Sequence, residues 1–126
     1  MSIYSPILQE YFCNARFELE ELVDRAGSLV LTLVRTDGSR VRLQFDSYMA
    51  YRKLDEGDAL LTLSAMRRTG GMSKSFYRVD NSDFLVWFNE ERCGPAPGGP
   101  LTHYMVATAN DIVDVLSLDP PTIEVD

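Results

Sequence analysis

The sequence has few of the residues that most often build metal sites, disulfides and nucleophilic active sites. Among its 126 residues are two cysteines, Cys13 and Cys93, and one histidine, His103. The cysteines are far apart and outside any C-x-x-C motif, so we expect two reduced thiols rather than a disulfide. A single histidine excludes His-rich metal motifs such as H-E-x-x-H. The sequence therefore predicts no metal site and no cofactor.

Long apolar runs are also lacking. No run approaches the roughly 20 residues that a helix needs to cross a bilayer. The first residues, MSIYSPILQEYFCNARF, have neither the basic stretch nor the long apolar core of a signal peptide. We therefore expect a cytoplasmic protein that does not enter a membrane.

Basic residues are scarce in the second half of the chain. Twelve Lys and Arg stand against nineteen Asp and Glu, which gives a formal charge of −7. Residues 1–53 are neutral overall, so residues 54–126 contribute the whole excess. This distribution disfavours nucleic acid and anionic membrane as partners, because both attract clustered Lys and Arg. It favours a cationic partner, although acidic residues that only keep the protein soluble give the same composition.

Catalytic motifs are absent from the sequence as well. There is no G-x-S-x-G motif and no G-x-x-x-x-G-K-[ST] loop, and the GPAPGGP segment (94–100) has no lysine. We interpret His103, within a predicted strand, as a structural residue. The sequence thus predicts a protein that is not an enzyme.

The composition that remains is that of one folded domain, residues 1–126, with 45% hydrophobic and 10% aromatic residues. The alternating segment FELEELV within 15–24 predicts a first strand. The runs 28–35 and 40–46 flank Asp37-Gly38, which predicts a β-hairpin with a two-residue type I′ turn. That register places six residues on one buried face: Val30, Thr32, Val34, Val41, Leu43 and Phe45.

Helix signals follow in the second half of the chain. Asp55 is a candidate cap for a helix over 54–68, with a strand at LLTL (60–63) as the alternative. Asn81-Ser82-Asp83 is typical of a helix start. Phe84, Trp87 and Phe88 then form a stripe at helical spacing, which we predict to be buried in the core. An exposed binding stripe is the alternative. Asn110 predicts a third helix, NDIVDVLS.

Further strands are predicted at 47–53, 75–80, 102–108 and 122–125, with 102–108 central in the sheet and 122–125 at its edge. Residues 1–14 suit a short helix or an arm packed by Ile7, Leu8, Tyr11 and Phe12. Together these elements predict an α+β fold. Its largely antiparallel sheet begins with a β-meander and packs against two or three short helices.

Two acidic clusters are candidate partner-binding sites. Asp55, Glu56 and Asp58 form the first, although helix capping also explains their position. Glu90 and Glu91 form the second, late in a predicted helix where negative charge opposes the helix dipole.

Three large amphipathic residues, Tyr48, Tyr51 and Arg52, precede the first acidic cluster. Tyr and Arg are favoured in interfaces, so we add these residues to the predicted partner-binding set. Ordinary packing at the rim of a sheet is the alternative interpretation.

The segments SYMAYRKLDEGD (47–58) and HYMVATANDIVDVLS (103–117) resemble parts of small bacterial proteins encoded beside polymorphic toxins, where such proteins serve as immunity proteins. The resemblance implies an inhibitor that binds a toxin domain and blocks its active site. It implies no site residues.

Three hypotheses follow from the residues and the resemblance. The first is a protein-binding module, specifically an immunity protein against a basic toxin domain encoded nearby. The second is a small-molecule-binding or enzymatic α+β domain with a pocket lined by Tyr48, Tyr51, Tyr77, His103 and Tyr104. The third is an adaptor subunit.

Overall fold

The computed structural model describes residues 2–8, 11, 16–68, 75–95 and 97–126. Within these residues the chain forms two antiparallel sheets and two short α-helices. The strands are β1 (Ile3–Pro6), β2 (Phe17–Arg25), β3 (Ser28–Arg35), β4 (Arg40–Phe45), β5 (Tyr48–Asp55), β6 (Phe76–Asp80), β7 (Thr102–Ala107), β8 (Asp111–Ser117) and β9 (Thr122–Val125). The helices are α1 (Leu60–Arg68) and α2 (Asp83–Glu91), and a single 3-10 turn spans Glu56–Asp58.

The five-stranded sheet lies between the four-stranded sheet and the two helices. Its strand order is β1-β6-β7-β8-β5, and that of the four-stranded sheet is β2-β3-β4-β9. One face of the larger sheet, including Tyr104 and Val115, shares a core with the inner face of the smaller sheet. Its other face, including Met105 and Leu116, packs against α1 and α2. Along the central strands, the side chains that point to either face of the sheet are therefore buried.

The β3–β4 hairpin turns at Asp37-Gly38, as predicted, but its loop has three residues instead of two. The Arg35 N–H donates to the Ser39 carbonyl at 2.9 Å, and the Gly38 N–H donates to the Arg35 carbonyl at 3.0 Å. Gly38 has φ +88°, and Asp37 Oδ1 accepts the Ser39 N–H at 2.9 Å. This is the geometry of a turn followed by a left-handed residue, which Asp-Gly suits as well as it suits a type I′ turn.

The longer loop shifts the register of the hairpin by one residue from the prediction. Leu29, Leu31 and Leu33 of β3 lie opposite Phe45, Leu43 and Val41, and all six are buried. A shift of one residue turns every side chain of a strand to the other face. The predicted burial of Val41, Leu43 and Phe45 is confirmed. The predicted face of Val30, Thr32 and Val34 is wrong, because these three lie on the outer face of the sheet, where Thr32 is still buried and the two valines are half-buried.

The segment after Asn110, predicted as a helix, is strand β8. It pairs with β7 on one side and β5 on the other, and the residues from Ile112 to Ser117 are all buried. A strand buried on both faces has a continuous apolar pattern and favours β-branched residues, which fits Ile112, Val113 and Val115. Asn110 lies in the β7–β8 turn, which Thr108 Oγ1 closes by accepting the Asp111 N–H at 3.1 Å.

The two helices begin at different kinds of cap. Ser82 caps α2 as predicted, because its Oγ accepts the Leu85 N–H at 2.9 Å. Asp55 instead caps the 3-10 turn by accepting the Gly57 N–H at 2.8 Å, and α1 begins only at Leu60. The predicted helix over 54–68 is therefore shorter than the sequence suggested, because β5 continues to Asp55.

The predicted burial of Trp87 is wrong. Its side chain is 52% exposed, whereas Phe84 on the same helix is 5% exposed. Phe84 and Phe88, four residues apart, face the sheet, and the Trp87 ring stacks on the outer side of Phe84 with ring centroids 5.8 Å apart. Trp87 thus lies at the edge of the helical stripe, where it contacts an aromatic core residue without being covered itself.

The α+β class and the largely antiparallel pairing are confirmed, with 102–108 central and 122–125 at an edge as predicted. The β-meander predicted at the start of the sheet is not confirmed, because the first strand, β1, lies in the other sheet beside β6. Phe12 and Cys13 lie outside the described residues, while Cys93 is exposed and has no disulfide. In the described ranges, neither helix has the length and apolar character that a membrane span requires.

Candidate functional site

A hydrogen-bonded network of four polar side chains, Ser82, His103, Asp114 and Arg52, crosses the interface between the five-stranded sheet and α2. Ser82 Oγ lies 2.6 Å from His103 Nδ1, and His103 Nε2 lies 2.6 Å from Asp114 Oδ1. The other carboxylate oxygen of Asp114 accepts Arg52 Nε–H at 2.9 Å. Ser82, His103 and Asp114 are each less than 5% exposed, so three of the four groups are removed from water.

The sheet register explains why these residues meet. Arg52 on β5 lies directly opposite Asp114 on β8, so the two side chains point to the same face. His103 on β7 lies on this face as well, opposite Leu116, and Ser82 reaches it from the start of α2. The helical face of the sheet therefore contains a line of polar groups among apolar neighbours.

Ser82 connects the start of α2 to this network. Its Oγ accepts the Leu85 N–H and lies within hydrogen-bond distance of His103 Nδ1, while His103 Nε2 is hydrogen-bonded to Asp114 Oδ1. The Arg52 guanidinium is the cationic partner of the buried Asp114 carboxylate. A buried carboxylate without such a partner is costly, so Arg52 is the group that makes Asp114 tolerable in the core.

The order Ser–His–Asp resembles that of a catalytic triad, but its geometry does not serve one. Ser82 is 4% exposed, and one lone pair of its hydroxyl is occupied by the cap of α2. Among the described residues, the open cleft beside the network reaches His103 but not Ser82. A nucleophile must be accessible to substrate, so we interpret the network as a support for Arg52 rather than as a reacting group.

The network opens into a cleft between α1 and α2. The cleft has a volume of about 450 Å³ and has β1 on its third side. Arg52 lies in it with its guanidinium carbon 4.2 Å from the centre of the Phe84 ring. Leu61 and Arg68 approach from α1, and Asp83 lies at the first position of α2.

The helices also expose large apolar side chains next to this cleft. Leu61, on the cleft wall, is 88% exposed, and Trp87 stacks on Phe84, which lines the cleft. Leu60 and Val86 are also more than half exposed. Exposed apolar side chains are ordinary when single, whereas four of them on the two helices that line one cleft make this side of the molecule a candidate interaction surface. We refer to Leu60, Leu61, Val86 and Trp87, together with the cleft, as the helical surface.

The predicted acidic residues lie at two separate positions around this surface. Asp55, Glu56 and Asp58 are exposed at the 3-10 turn, where the Glu56 N–H donates to the carbonyl of Asn110 before β8. Glu90 and Glu91 are exposed at the end of α2, which packs on residues near the other end of β8. The two clusters therefore flank the helical surface instead of forming a single acidic patch.

The predicted group of Tyr48, Tyr51 and Arg52 is divided between the two faces of the sheet. A bulge after Tyr48 turns both tyrosines to the inner face, where their rings lie 5.9 Å apart at the rim of the inter-sheet core. The Tyr48 hydroxyl donates to Asp24, and this hydrogen bond raises the pKa of Tyr48. Arg52 alone faces the helices. The geometry of the tyrosines is that of rim packing, while Arg52 enters the candidate site.

The pocket predicted from Tyr48, Tyr51, Tyr77, His103 and Tyr104 does not form as a unit. Tyr51 and Tyr104 both lie opposite Val115 on the inner face, whereas Tyr77 and His103 face the helices. Of these five residues, only His103 lines the cleft. The sequence pattern does not reveal Asp114, Arg68 or the cleft, because the β8 segment also fits a helix, in which Asp114 would not pair with Arg52 or His103.

The described residues contain no group of three or more His, Cys, Asp or Glu side chains placed to hold a metal ion. Comparison with protein-family models gave no match, and comparisons with curated proteins and with solved structures found no similar protein.

Proposed function

We propose that this chain is a protein-binding module, an immunity-type protein that binds and neutralises a basic bacterial toxin domain in the cytoplasm. The observation that carries the proposal is the group of exposed apolar side chains on the two helices. Trp87, which is 52% exposed, is of a residue type enriched among interface anchors, and Leu61 adds exposed apolar area on the cleft wall.

The acidic residues near the helices and the net negative charge of the protein favour a basic partner. Asp83, Glu90 and Glu91 lie on α2 itself, and Asp55–Asp58 lies just before α1. The net charge of −7 adds a long-range attraction for a cationic domain. Acidic residues around an apolar centre would speed encounter, while the apolar centre would hold the complex.

The proposal is tested by expressing the chain together with the product of the neighbouring gene. We expect a complex that co-purifies and that restores growth when the neighbouring product alone stops it. A complex without rescue of growth would favour the adaptor hypothesis. Absence of any complex would contradict the proposal.

A charge reversal tests the contribution of α2. Glu90→Lys with Glu91→Lys should slow association and reduce its dependence on salt, because rim charges act mainly on encounter. The matched control is Glu18→Lys with Glu21→Lys, which makes the same charge change at exposed positions of β2. Equal slowing by both pairs would show that only net charge matters, and would remove the acidic end of α2 from the site.

A further inference from the structure

We infer that the cleft between α1 and α2 is a binding site for a carboxylate group attached to a small apolar body. The Arg52 guanidinium has hydrogen-bond donors that the described part of the protein does not use. Its Nε–H is bonded to Asp114, while Nη1 and Nη2 have no hydrogen-bond partner among the described residues. A guanidinium has five donors, and its remaining edge can bind a planar carboxylate through two parallel bonds.

The Arg52 side chain is held in place before any ligand binds. Asp114 fixes one edge of the guanidinium, and the Phe84 ring lies against its face at 4.2 Å. Asp114 is itself fixed by His103, which Ser82 orients. A side chain that is already immobile loses little conformational entropy on binding, so its bonds to a ligand are not offset by ordering.

The walls of the cleft provide groups that suit a carboxylate and an apolar body. Arg68 supplies a second cation, and Tyr4 and Thr62 supply hydroxyl groups. Leu61 and Phe84 supply apolar area for the body of a ligand. A volume of about 450 Å³ falls within the ordinary range of small-molecule sites, roughly 300–1,000 Å³.

The balance of charge favours a monoanion over a phosphate. Arg52 and Arg68 are offset by Asp114 behind the cleft and by Asp83 on its wall. With a formal local charge of zero, a carboxylate gains from the nearest guanidinium without a strongly positive field. A dianion would meet the repulsion of both aspartates, so the site suits the singly charged group.

The carboxylate has two possible sources, a free small molecule or an acidic group of a protein partner. The inference stands on the cleft alone and does not require the proposed function. Both sources present the same chemistry to Arg52, and the experiment separates them.

The test uses phenylacetate as the probe and the fluorescence of Trp87 as the readout. Trp87 is the single tryptophan of the chain and stacks on a wall residue of the cleft, so a ligand there should change its emission. We expect a saturable change with a dissociation constant of about 1 mM, as a ligand of this size allows. Phenylacetamide, which has the same body without the charge, should bind at least about tenfold more weakly. No saturation, or equal binding of both probes, would overturn the inference.

Two arginines on α1 provide a matched pair of variants. Arg68→Gln should weaken phenylacetate binding about fivefold to tenfold, because Arg68 lines the cleft. Arg67→Gln removes the same charge from an exposed position that does not line the cleft and should leave binding within about twofold. Equal loss in both variants would show general electrostatic attraction and would contradict a built site.

Arg52→Lys keeps the positive charge beside Asp114 but removes the planar edge and the ring contact. It should lower the affinity for phenylacetate about tenfold or more while the protein stays folded, as circular dichroism would check. Unchanged affinity in the folded variant would overturn the role of Arg52.

Competition identifies the source of the carboxylate. If a complex with the neighbouring gene product forms, phenylacetate should weaken it when the partner supplies the carboxylate. A complex insensitive to phenylacetate would assign the cleft to a free small molecule, with the partner bound on the surrounding apolar residues. Phenylacetate binding without any protein complex would sustain the inference and contradict the proposed function.

Discussion

The two outer surfaces of the molecule meet solvent in different ways. Charged side chains on the outer face of the four-stranded sheet pair across strands, as Arg42 does with Glu124 and Asp126 at 3.3 and 3.0 Å. The helical surface instead exposes Leu61 and Trp87 above an ion pair whose carboxylate, on Asp114, is 2% exposed. The first surface pairs its charged groups in water, whereas the second combines exposed apolar side chains with a carboxylate that is buried.

This difference indicates where binding would take place. The charged groups on the four-stranded sheet form ion pairs within the protein and need no binding partner. Such exposed pairs add little stability. A buried charge and an exposed tryptophan both cost stability, or at best contribute none, in the isolated protein. Departures from ordinary folding rules are expected at functional sites, and in this chain they coincide on the helical surface.

The largest expected effect comes from breaking the ion pair between Arg52 and the buried Asp114 carboxylate. Arg52→Gln leaves this carboxylate, which is 2% exposed, without its cationic partner, so the free energy of unfolding should fall by about 3–5 kcal/mol. Arg42→Gln, which removes two exposed pairs, should cost about 1 kcal/mol or less. Urea unfolding of both variants measures the contrast. Similar losses in the two would show that the buried network has no special role in stability.

The next effect separates two of the three aromatic residues on α2, Phe84 and Trp87. Phe84→Ala should cost about 3 kcal/mol because it empties a buried position, whereas Trp87→Ala should cost about 1 kcal/mol or less. Thermal and urea unfolding of both variants measure the difference. A Trp87→Ala variant as unstable as Phe84→Ala would mean that Trp87 belongs to the core, and the helical surface would lose its main anchor.

A smaller effect is expected at the β3–β4 turn of the four-stranded sheet. Gly38 has φ +88°, and a Cβ placed there would meet no atom within 4 Å. Gly38→Val should therefore cost about 1–2 kcal/mol through backbone strain alone, without any steric clash. Urea unfolding should show this loss, with no change in phenylacetate binding at the distant cleft. A loss of binding would indicate that the two regions are coupled.

The smallest expected effect is a decrease in the free energy of unfolding at alkaline pH. Burial raises the pKa of Tyr104 between the sheets and of Tyr4 in the cleft. Above the ordinary value of 10.0 the unfolded chain loses phenol protons that the folded protein keeps. The unfolded state then binds fewer protons, so the contribution to stability is complete below pH 10.0 and falls as the pH rises further. Denaturant unfolding across this range should show the decline, and Tyr4→Phe and Tyr104→Phe should each reduce it. An identical slope in both variants would assign the decline to other groups.

The local signals of the sequence were read correctly where one residue type determines the structure. Gly38 located the turn, Ser82 located the start of α2, and the apolar run of β7 indicated a central strand. The register of the β3–β4 hairpin could not be read in the same way, because Asp-Gly is compatible with loops of two and of three residues. A difference of one residue in that loop decided which face of β3 is buried.

The candidate site depended on long-range pairing that no local pattern contains. Asn110 followed by Ile112, Val115 and Leu116 fits a capped helix as well as a buried strand, and only the pairing of β8 with β5 and β7 decides between them. On a helix Asp114 would have no contact with Arg52 or His103, so no local pattern predicts the network. The residue type of Arg52 points to the site, while Tyr48 and Tyr51, which share that property, belong to the other face of the sheet.

One matched pair of variants tests most directly whether the helical surface is the functional face. Val86 and Val125 are 55% and 51% exposed, the first on α2 and the second on β9 of the four-stranded sheet. Val86→Asp and Val125→Asp make the same chemical change, and each should alter stability by about 0.5 kcal/mol or less at these exposures. Affinity for the co-expressed neighbouring gene product should fall at least about tenfold for Val86→Asp and stay unchanged for Val125→Asp. The reverse result, with binding lost only in the β9 variant, would place the interface on the four-stranded sheet and contradict the account.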